Sequence, residues 1–231
     1  MNIQNKNFLT ESKTETLFPD YISIRRHNYP NNQKLFEIML SLKEKYSNTK
    51  FQTNQALDKY RQPQHKDGGF TYTVGGFQMN KGNFTELKKE DGLTNEQVQT
   101  LDHFKQHVLF PTISDYQKNL KFTLSDKDDL LYKNWFVLYD KNSFQELHTH
   151  GASTIFTSVY FVKTPKKKYD FDGNLVVSNT KTEFVGLRHK DIEPEEGLMV
   201  TFPNDYPHYV LPFHGDGYRA VIINDMYVRK A

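Results

Sequence analysis

From Tyr132 onward the chain breaks into eight short runs rich in β-formers: WFVLYD, LHTH, TIFTSVYFV, GNLVVSN, TEFVGLR, GLMVTF, HYVLPF and YRAVIINDMYV. Turn residues separate them, and no spacer carries a helical period. With nothing between the runs to build a crossover helix, the segment is expected to close as a small antiparallel sandwich or barrel. The aromatic residues, 18 Phe and 14 Tyr beside one Trp, suit the pleated faces of such sheets.

The N-terminal half reads differently. Residues 1 to 15 are polar and unpatterned and are expected to be a loose tail, after which Ile22 and Ile24 flank Ser23 in the alternation of a short strand. Beyond a cap at Asn31 or Asn32, QKLFEIMLSLKEKYSN sets Leu35, Met39 and Leu42 on one helical stripe, widened by Phe36 and Leu40. Residues 50 to 92, with KDGGF, VGGFQ and NKGNF, predict loops and short strands against which a substrate would lie. Thr94 and Gln97 form a capping box for a second helix buried through Val98, Leu101, Phe104 and Val108. Pro111 is expected to kink or end that helix, with helical character resuming in ISDYQKNL ahead of Phe122, Leu124 and the turn SDKDD.

No linker, repeat or low-complexity tract divides these halves, so the expectation is one domain over 1–231. Its class is α+β, mainly β, with helices and support strands over 16–130 packed on one sheet and the β core over 131–231. The 30 basic and 28 acidic residues are interspersed and leave a net charge of +2, which calls for neither nucleic acid nor an anionic membrane as partner. There is no cysteine, so disulfides, thiolate metal sites and cysteine nucleophiles are excluded. No apolar run approaches the length of a membrane span and no secretory signal opens the chain, so a cytoplasmic location is expected.

Chemistry concentrates in QELHTHGAS. Residues i and i+2 of a strand point to the same side, so His148 and His150 are able to reach one metal ion. A third ligand is offered by His208, whose approach is fixed by Pro203 and Pro207, and His189 and His214 are alternatives. Eleven residues after His208, Arg219 heads the apolar strand RAVII, where an arginine needs an anionic partner: Asp216, a neighbouring Glu, or a ligand carboxylate. His103 and His107 have helical i, i+4 spacing, but Phe104 stands where a zinc-protease helix needs Glu. Lys166, Lys167 and Lys168 read as a solvated loop, and VGGFQMNKG lacks the following helix of a phosphate loop.

The texts NWFVLYDKNSFQELHTHGASTIFTSVYFVKTP, DGNLVV and EPEEGLMVTFPNDYPHYVLPFHGDGYRAVIIN resemble the 2-oxoglutarate- and iron(II)-dependent oxygenases. The likeness is to the prolyl 4-hydroxylase-like branch often encoded by phages, loosely over residues 70 to 228 and well over 134 to 224, with VGGFQ matching a Gly-Gly-aromatic segment upstream. It implies a double-stranded β-helix, or jelly roll, of cupin-like form. It also implies Fe(II), 2-oxoglutarate and O2, with hydroxylation of a small molecule or a peptidyl residue such as proline. On the resemblance, His148, His150 and His208 are the metal ligands. Arg219 and Tyr139 bind the cosubstrate's C5 carboxylate, with Thr157 a further contact. Two departures from the superfamily pattern stand out: His150 stands where Asp or Glu is common, with Glu146 an alternative ligand, and Phe161 and Val221 replace Tyr or Ser. Two other readings remain open here: a cupin-like three-histidine metalloprotein that does not use 2-oxoglutarate, and a jelly-roll binding module without catalysis.

Overall fold

The computed structural model describes residues 22–53, 72–120, 129–151, 154–179 and 188–229. The tail expected at 1–15, the Phe122 and Leu124 pair, SDKDD up to Asp129 and most of TEFVGLR lie outside them. No described helix is long and apolar enough to cross a membrane.

Among the described residues, eleven strands form two antiparallel sheets. They are β1 (Ser23–Arg26), β2 (Thr73–Val74), β3 (Phe77–Met79), β4 (Asp129–Tyr139), β5 (Phe144–His148), β6 (Thr154–Lys163), β7 (Leu175–Asn179), β8 (Arg188–Ile192), β9 (Leu198–Pro203), β10 (His208–Val210) and β11 (Arg219–Arg229). The larger sheet runs β1-β9-β6-β11-β4-β3 and the smaller β2-β5-β10-β7-β8. Packed face to face they make the expected jelly roll. Between them lies a core that includes Val137, Val159, Phe161, Val177, Val200, Phe202, Val221 and Ile223.

Three helices cover the other face of the larger sheet: α1 (Asn32–Tyr46), α2 (Asn95–Phe104) and α3 (Phe110–Leu120). Leu35, Met39 and Leu42 of α1 are buried, as their spacing predicts, and pack with Leu101, Phe104, Phe136, Tyr160 and Ile222 in a second core. The capping box at Thr94 and Gln97 is made in full. Pro111 neither ends nor breaks the helix. A π turn over Lys105–Leu109 precedes it, in which the Phe110 N–H reaches back five residues to the Lys105 carbonyl, so the ladder is already re-spaced where the proline removes a donor.

With both faces of the larger sheet buried, β11 has two kinds of face. Ala220 and Ile222 turn to the helices, while Val221 and Ile223 join the core between the sheets. By strand parity Arg219 and Asp225 close the two ends of that inner row. Two adjacent glycines carry the chain from one sheet to the other, from β2 to β3, both with positive φ. A Cβ on Gly76 would lie 2.3 Å from the Leu138 carbonyl oxygen, so glycine is required at that corner. The corner also brings Tyr72 and Gln78 beside β5.

Candidate metal centre

His148 ends β5 and stands directly opposite His208 of β10 in the strand register, so the two rings lie 4.2 Å apart between centroids. His150 is not on the strand. It sits in the loop just after β5, its N–H donating to the Asn204 carbonyl, so the pair meets through loop geometry rather than the strand alternation expected of HTH. The three histidines nonetheless offer ligand atoms all within 4.8 Å of one another.

The hydrogen bonds of the rings set their tautomers. His148 Nδ1 lies 2.8 Å from the Glu146 carbonyl oxygen, His208 Nδ1 lies 3.0 Å from the Tyr206 carbonyl oxygen, and His150 Nδ1 lies 2.7 Å from Asp225 Oδ2. Carbonyls and carboxylates only accept, so each Nδ1 carries the proton and each Nε2 is left with its lone pair. His150 Nε2 and His208 Nε2 then face each other at 3.2 Å. Two lone pairs so close repel unless a cation lies against both. The donor set therefore fits a divalent metal that accepts imidazole nitrogen, held by rings whose far nitrogens are already anchored.

Burial, reinforced by the neighbouring His150, lowers the pKa of His148 to about 4. For the buried His208 desolvation comes first and the charges of His148 and His150 next, and together they hold it well below 6.5. Both rings are thus neutral and able to ligate at physiological pH. Tyr72 stacks on His148 with centroids 4.7 Å apart and fixes the outer side of the ring.

Arg219 lies on the inner face of β11, opposite Tyr139 in register, with its guanidinium carbon 4.8 Å from the Tyr139 ring centroid and 5.0 Å from that of Phe161. It is 0% exposed, and among the described residues its guanidinium nitrogens have no carboxylate partner and no hydrogen bond of good geometry, the Tyr139 hydroxyl being the polar group that interacts with them. Among the described residues neither Asp216 nor a glutamate pairs with it. Desolvation lowers its pKa to about 10, which leaves it charged at neutral pH. Burial raises the Tyr139 hydroxyl to about 12 against the opposing pull of Arg219, and that hydroxyl donates to Gln145 Oε1 at 3.1 Å.

Thr157, expected beside the cosubstrate, is across from Asp225 in the register and donates to Asp225 Oδ1 at 2.8 Å, at the opposite end of the inner row from Arg219. Of the alternative ligands, His189 is exposed on β8 beside Asp191, and His214 is bonded to Asp172 at 2.7 Å. Glu146 serves the centre with its backbone carbonyl. His103 and His107 stack 4.2 Å apart on the helical layer, and Lys167 pairs with Glu193. The sequence reading missed Asp225 and Trp135. The parity of β11 carries the signal for the first, since an acid six residues after Arg219 shares its face.

A cavity of about 1120 Å³ forms an open groove between residues 81–91 and α2 and contains none of these groups. The histidines border a smaller cavity of about 220 Å³, reached by Tyr72, Gln78, Asn80, Lys133, Trp135 and Gln145. We assign the chemistry to the smaller one, because a ligating triad converges there and the larger groove is lined by mixed, partly self-paired charges such as Lys81 and Asp91.

Known proteins bear on this arrangement. Among curated protein sequences, none matches this one. The fold is that of a prolyl 4-hydroxylase from Pseudomonas putida, with TM-score 0.57 and 14% identity over 92% of this chain and 94% of that one. It is also that of a Trichoplax adhaerens prolyl hydroxylase solved with a hypoxia inducible factor peptide, with TM-score 0.59 and 12% identity over 89% and 83%. HygX from Streptomyces hygroscopicus, solved with nickel and 2-oxoglutarate, aligns with TM-score 0.50 and 10% identity over 90% and 83%. At these identities the likeness speaks for the jelly roll. Residues 133–225, which run from β4 to Asp225 and include all three histidines and Arg219, match the sequence family described as "Putative 2OG-Fe(II) oxygenase". Over that stretch the chain is similar to the 2-oxoglutarate- and iron(II)-dependent oxygenases.

Proposed function

We propose that this protein is a 2-oxoglutarate- and iron(II)-dependent oxygenase that would hold iron(II) through the Nε2 atoms of His148, His150 and His208 and seat the far carboxylate of 2-oxoglutarate on Arg219, with the Tyr139 ring against the guanidinium. When bound, the two supply the family's chemistry, in which O2 is consumed, 2-oxoglutarate becomes succinate and CO2, and a substrate C–H bond becomes C–OH. The observation that carries the assignment is Arg219: fully buried, charged and without a carboxylate partner among the described residues, on the same inner face that ends at the histidines. A buried charge without a counter-ion is costly, and a carboxylate received bidentately would offset that cost. A cupin-like use of three histidines leaves this arginine with no task.

The chain's own residues divide the work. Tyr139 and Phe161 clamp the guanidinium from its faces, so it is aimed before any ligand arrives. Arg219 and Asp225 are six residues apart on one strand, a span of about 20 Å, which leaves room between their side chains for a metal and a five-carbon diacid. Val221 and Ile223 floor that interval with apolar surface and keep water from competing for the arginine. Asp225 accepts from His150 Nδ1 and places a negative charge one ring away from the metal, partly replacing the carboxylate that His150 displaces from the ligand set. Thr157 holds that carboxylate in place.

The chain would act in the cytoplasm as one domain, and the two prolyl hydroxylases among its fold relatives make a prolyl or other peptidyl residue the first substrate class to test. The decisive experiment is anaerobic titration of the folded protein with Fe(II) and then 2-oxoglutarate. A weak visible charge-transfer band that saturates at one equivalent is expected. Folded protein that binds iron but gives no band returns the cupin-like reading, and protein that binds no metal ends both.

A further inference from the structure

The 220 Å³ cavity beside the histidines is lined by neutral polar groups, including the Asn80 amide and the Tyr72 and Thr149 hydroxyls, and by one cation, Lys133. Gln145 Oε1 accepts from the Tyr139 hydroxyl, and Gln78 Oε1 accepts from the Thr73 hydroxyl. Each amide oxygen already accepts one hydroxyl, so the N–H groups are the unused donors of both side chains. Trp135 Nε1, a pure donor, is buried and has no hydrogen-bond partner. Lys133 stands at the exposed edge, directly across from Asp225 in the register. Asp225 has already committed one oxygen to His150 and the other to Thr157, and it makes no ion pair with Lys133. Among the described residues no carboxylate lines the cavity. Two amide side chains, an indole N–H and an ammonium thus share one space next to the proposed iron, with no described anion to meet them.

We propose that this cavity is the substrate's anchor and that it selects a carboxylate, held by Lys133, Trp135, Gln78 and Gln145 beside the metal. The proposal rests on the iron-site assignment above and names the substrate class for it. Neither Arg219 nor Tyr139 lines the cavity, so it is separate from the cosubstrate's seat, and the Tyr139–Gln145 hydrogen bond joins the two. Its volume is below the ~300–1,000 Å³ of pockets for drug-sized ligands, which matches an amino-acid-sized acid or a single acidic side chain. A carboxylate meeting an ammonium and neutral donors in a partly dry space forms charge-assisted hydrogen bonds, and a neutral amide of the same shape does not.

Trp135 is the only tryptophan of the chain, so its emission reports on this cavity with no contribution from elsewhere. The probes are a set of N-acetyl amino acids and their matched carboxamides, added to the anaerobic Fe(II)- and 2-oxoglutarate-loaded protein. The carboxamides of N-acetyl-aspartate and N-acetyl-glutamate keep only a side-chain carboxylate and so separate an acidic side chain from a free α-acid. At least one acid should shift the Trp135 emission saturably and bind tenfold or more tighter than its neutral partner. Lys133→Met should remove most of that difference and Lys133→Arg should restore it. Neutral probes that bind as tightly as acids, no response to any probe, or acid binding indifferent to Lys133→Met would each overturn the proposal. Failure of the iron assignment shows separately, as absence of the charge-transfer band in the same cuvette.

Discussion

Asp225 of the larger sheet and His150, in the loop that leaves the smaller sheet, are joined by a 2.7 Å contact between Oδ2 and Nδ1. The two side chains are only 13% and 8% exposed, so the pair is shielded from solvent. This contact ties the two layers together at the proposed metal and fixes which nitrogen of His150 faces it. Asp225→Asn keeps the size and loses the charge. Metal affinity should fall about 10- to 100-fold, the usual cost of disturbing a ligand's outer partner. Anaerobic titration with Fe(II) or Co(II) measures this directly, and an unchanged Kd would remove Asp225 from the centre.

Arg219 sets function against stability. Fully buried and with no counter-ion among the described residues, it should cost the unliganded fold free energy. Arg219→Met retains much of the volume without the charge. It should leave metal binding intact and weaken 2-oxoglutarate on the order of 100-fold, the loss of about 3 kcal/mol of charged hydrogen bonds. The melting temperature of the ligand-free protein should stay level or rise. A marked fall in melting temperature would mean that the arginine has a structural partner after all.

Much of this site was readable in the sequence because its order is local. HTH, His208 after two prolines and an arginine at the head of an apolar strand are each short-range signals, and the eight β-rich runs define the sandwich around them. The misreadings came from what strands do not encode along the chain. That His150 leaves the strand and is caught by Asp225 depends on the pairing of β6 with β11, a contact 75 residues apart in sequence. Thr157 was expected beside the cosubstrate because its strand follows the ligands, and what only the register reveals is that its hydroxyl is engaged by Asp225 at the histidine end of the inner row. Pro111 looked like a helix breaker, and the π turn that accommodates it has no composition of its own. The Trp135 indole became informative only once its missing partner was visible.

Gly173 tests the arginine from outside the ligand shell. It adopts φ of +64°, and a Cβ there would lie 2.7 Å from Arg219 Cδ and 3.2 Å from its Nε. Gly173→Ala should destabilise the fold by about 1 kcal/mol through the left-handed backbone alone. It should also push the guanidinium off its axis between Tyr139 and Phe161, so that the Kd for 2-oxoglutarate rises while metal affinity does not change. Isothermal titration of both ligands distinguishes this from general unfolding, which would weaken the two together.

The depressed pKa values of His148 and His208 predict how the metal-free protein responds to acid. In the unfolded chain a histidine titrates near 6.5, whereas in the fold His148 is lowered to about 4 and His208 lies well below its ordinary value, burial being the main cause for both. Above 6.5 both states are neutral at these positions and the fold keeps its full stability. As pH falls from 6.5 toward 4 the unfolded chain takes up protons that the native rings refuse. Stability is then lost at up to about 1.4 kcal/mol per pH unit for each histidine. The melting temperature of the metal-free protein should therefore decline through this window. Replacing both rings in His148→Gln/His208→Gln should flatten that part of the profile, whatever the carboxylates contribute to each protein alike. Equal slopes for the two proteins would show that the native histidines titrate normally, and that protons would compete with the metal near neutrality.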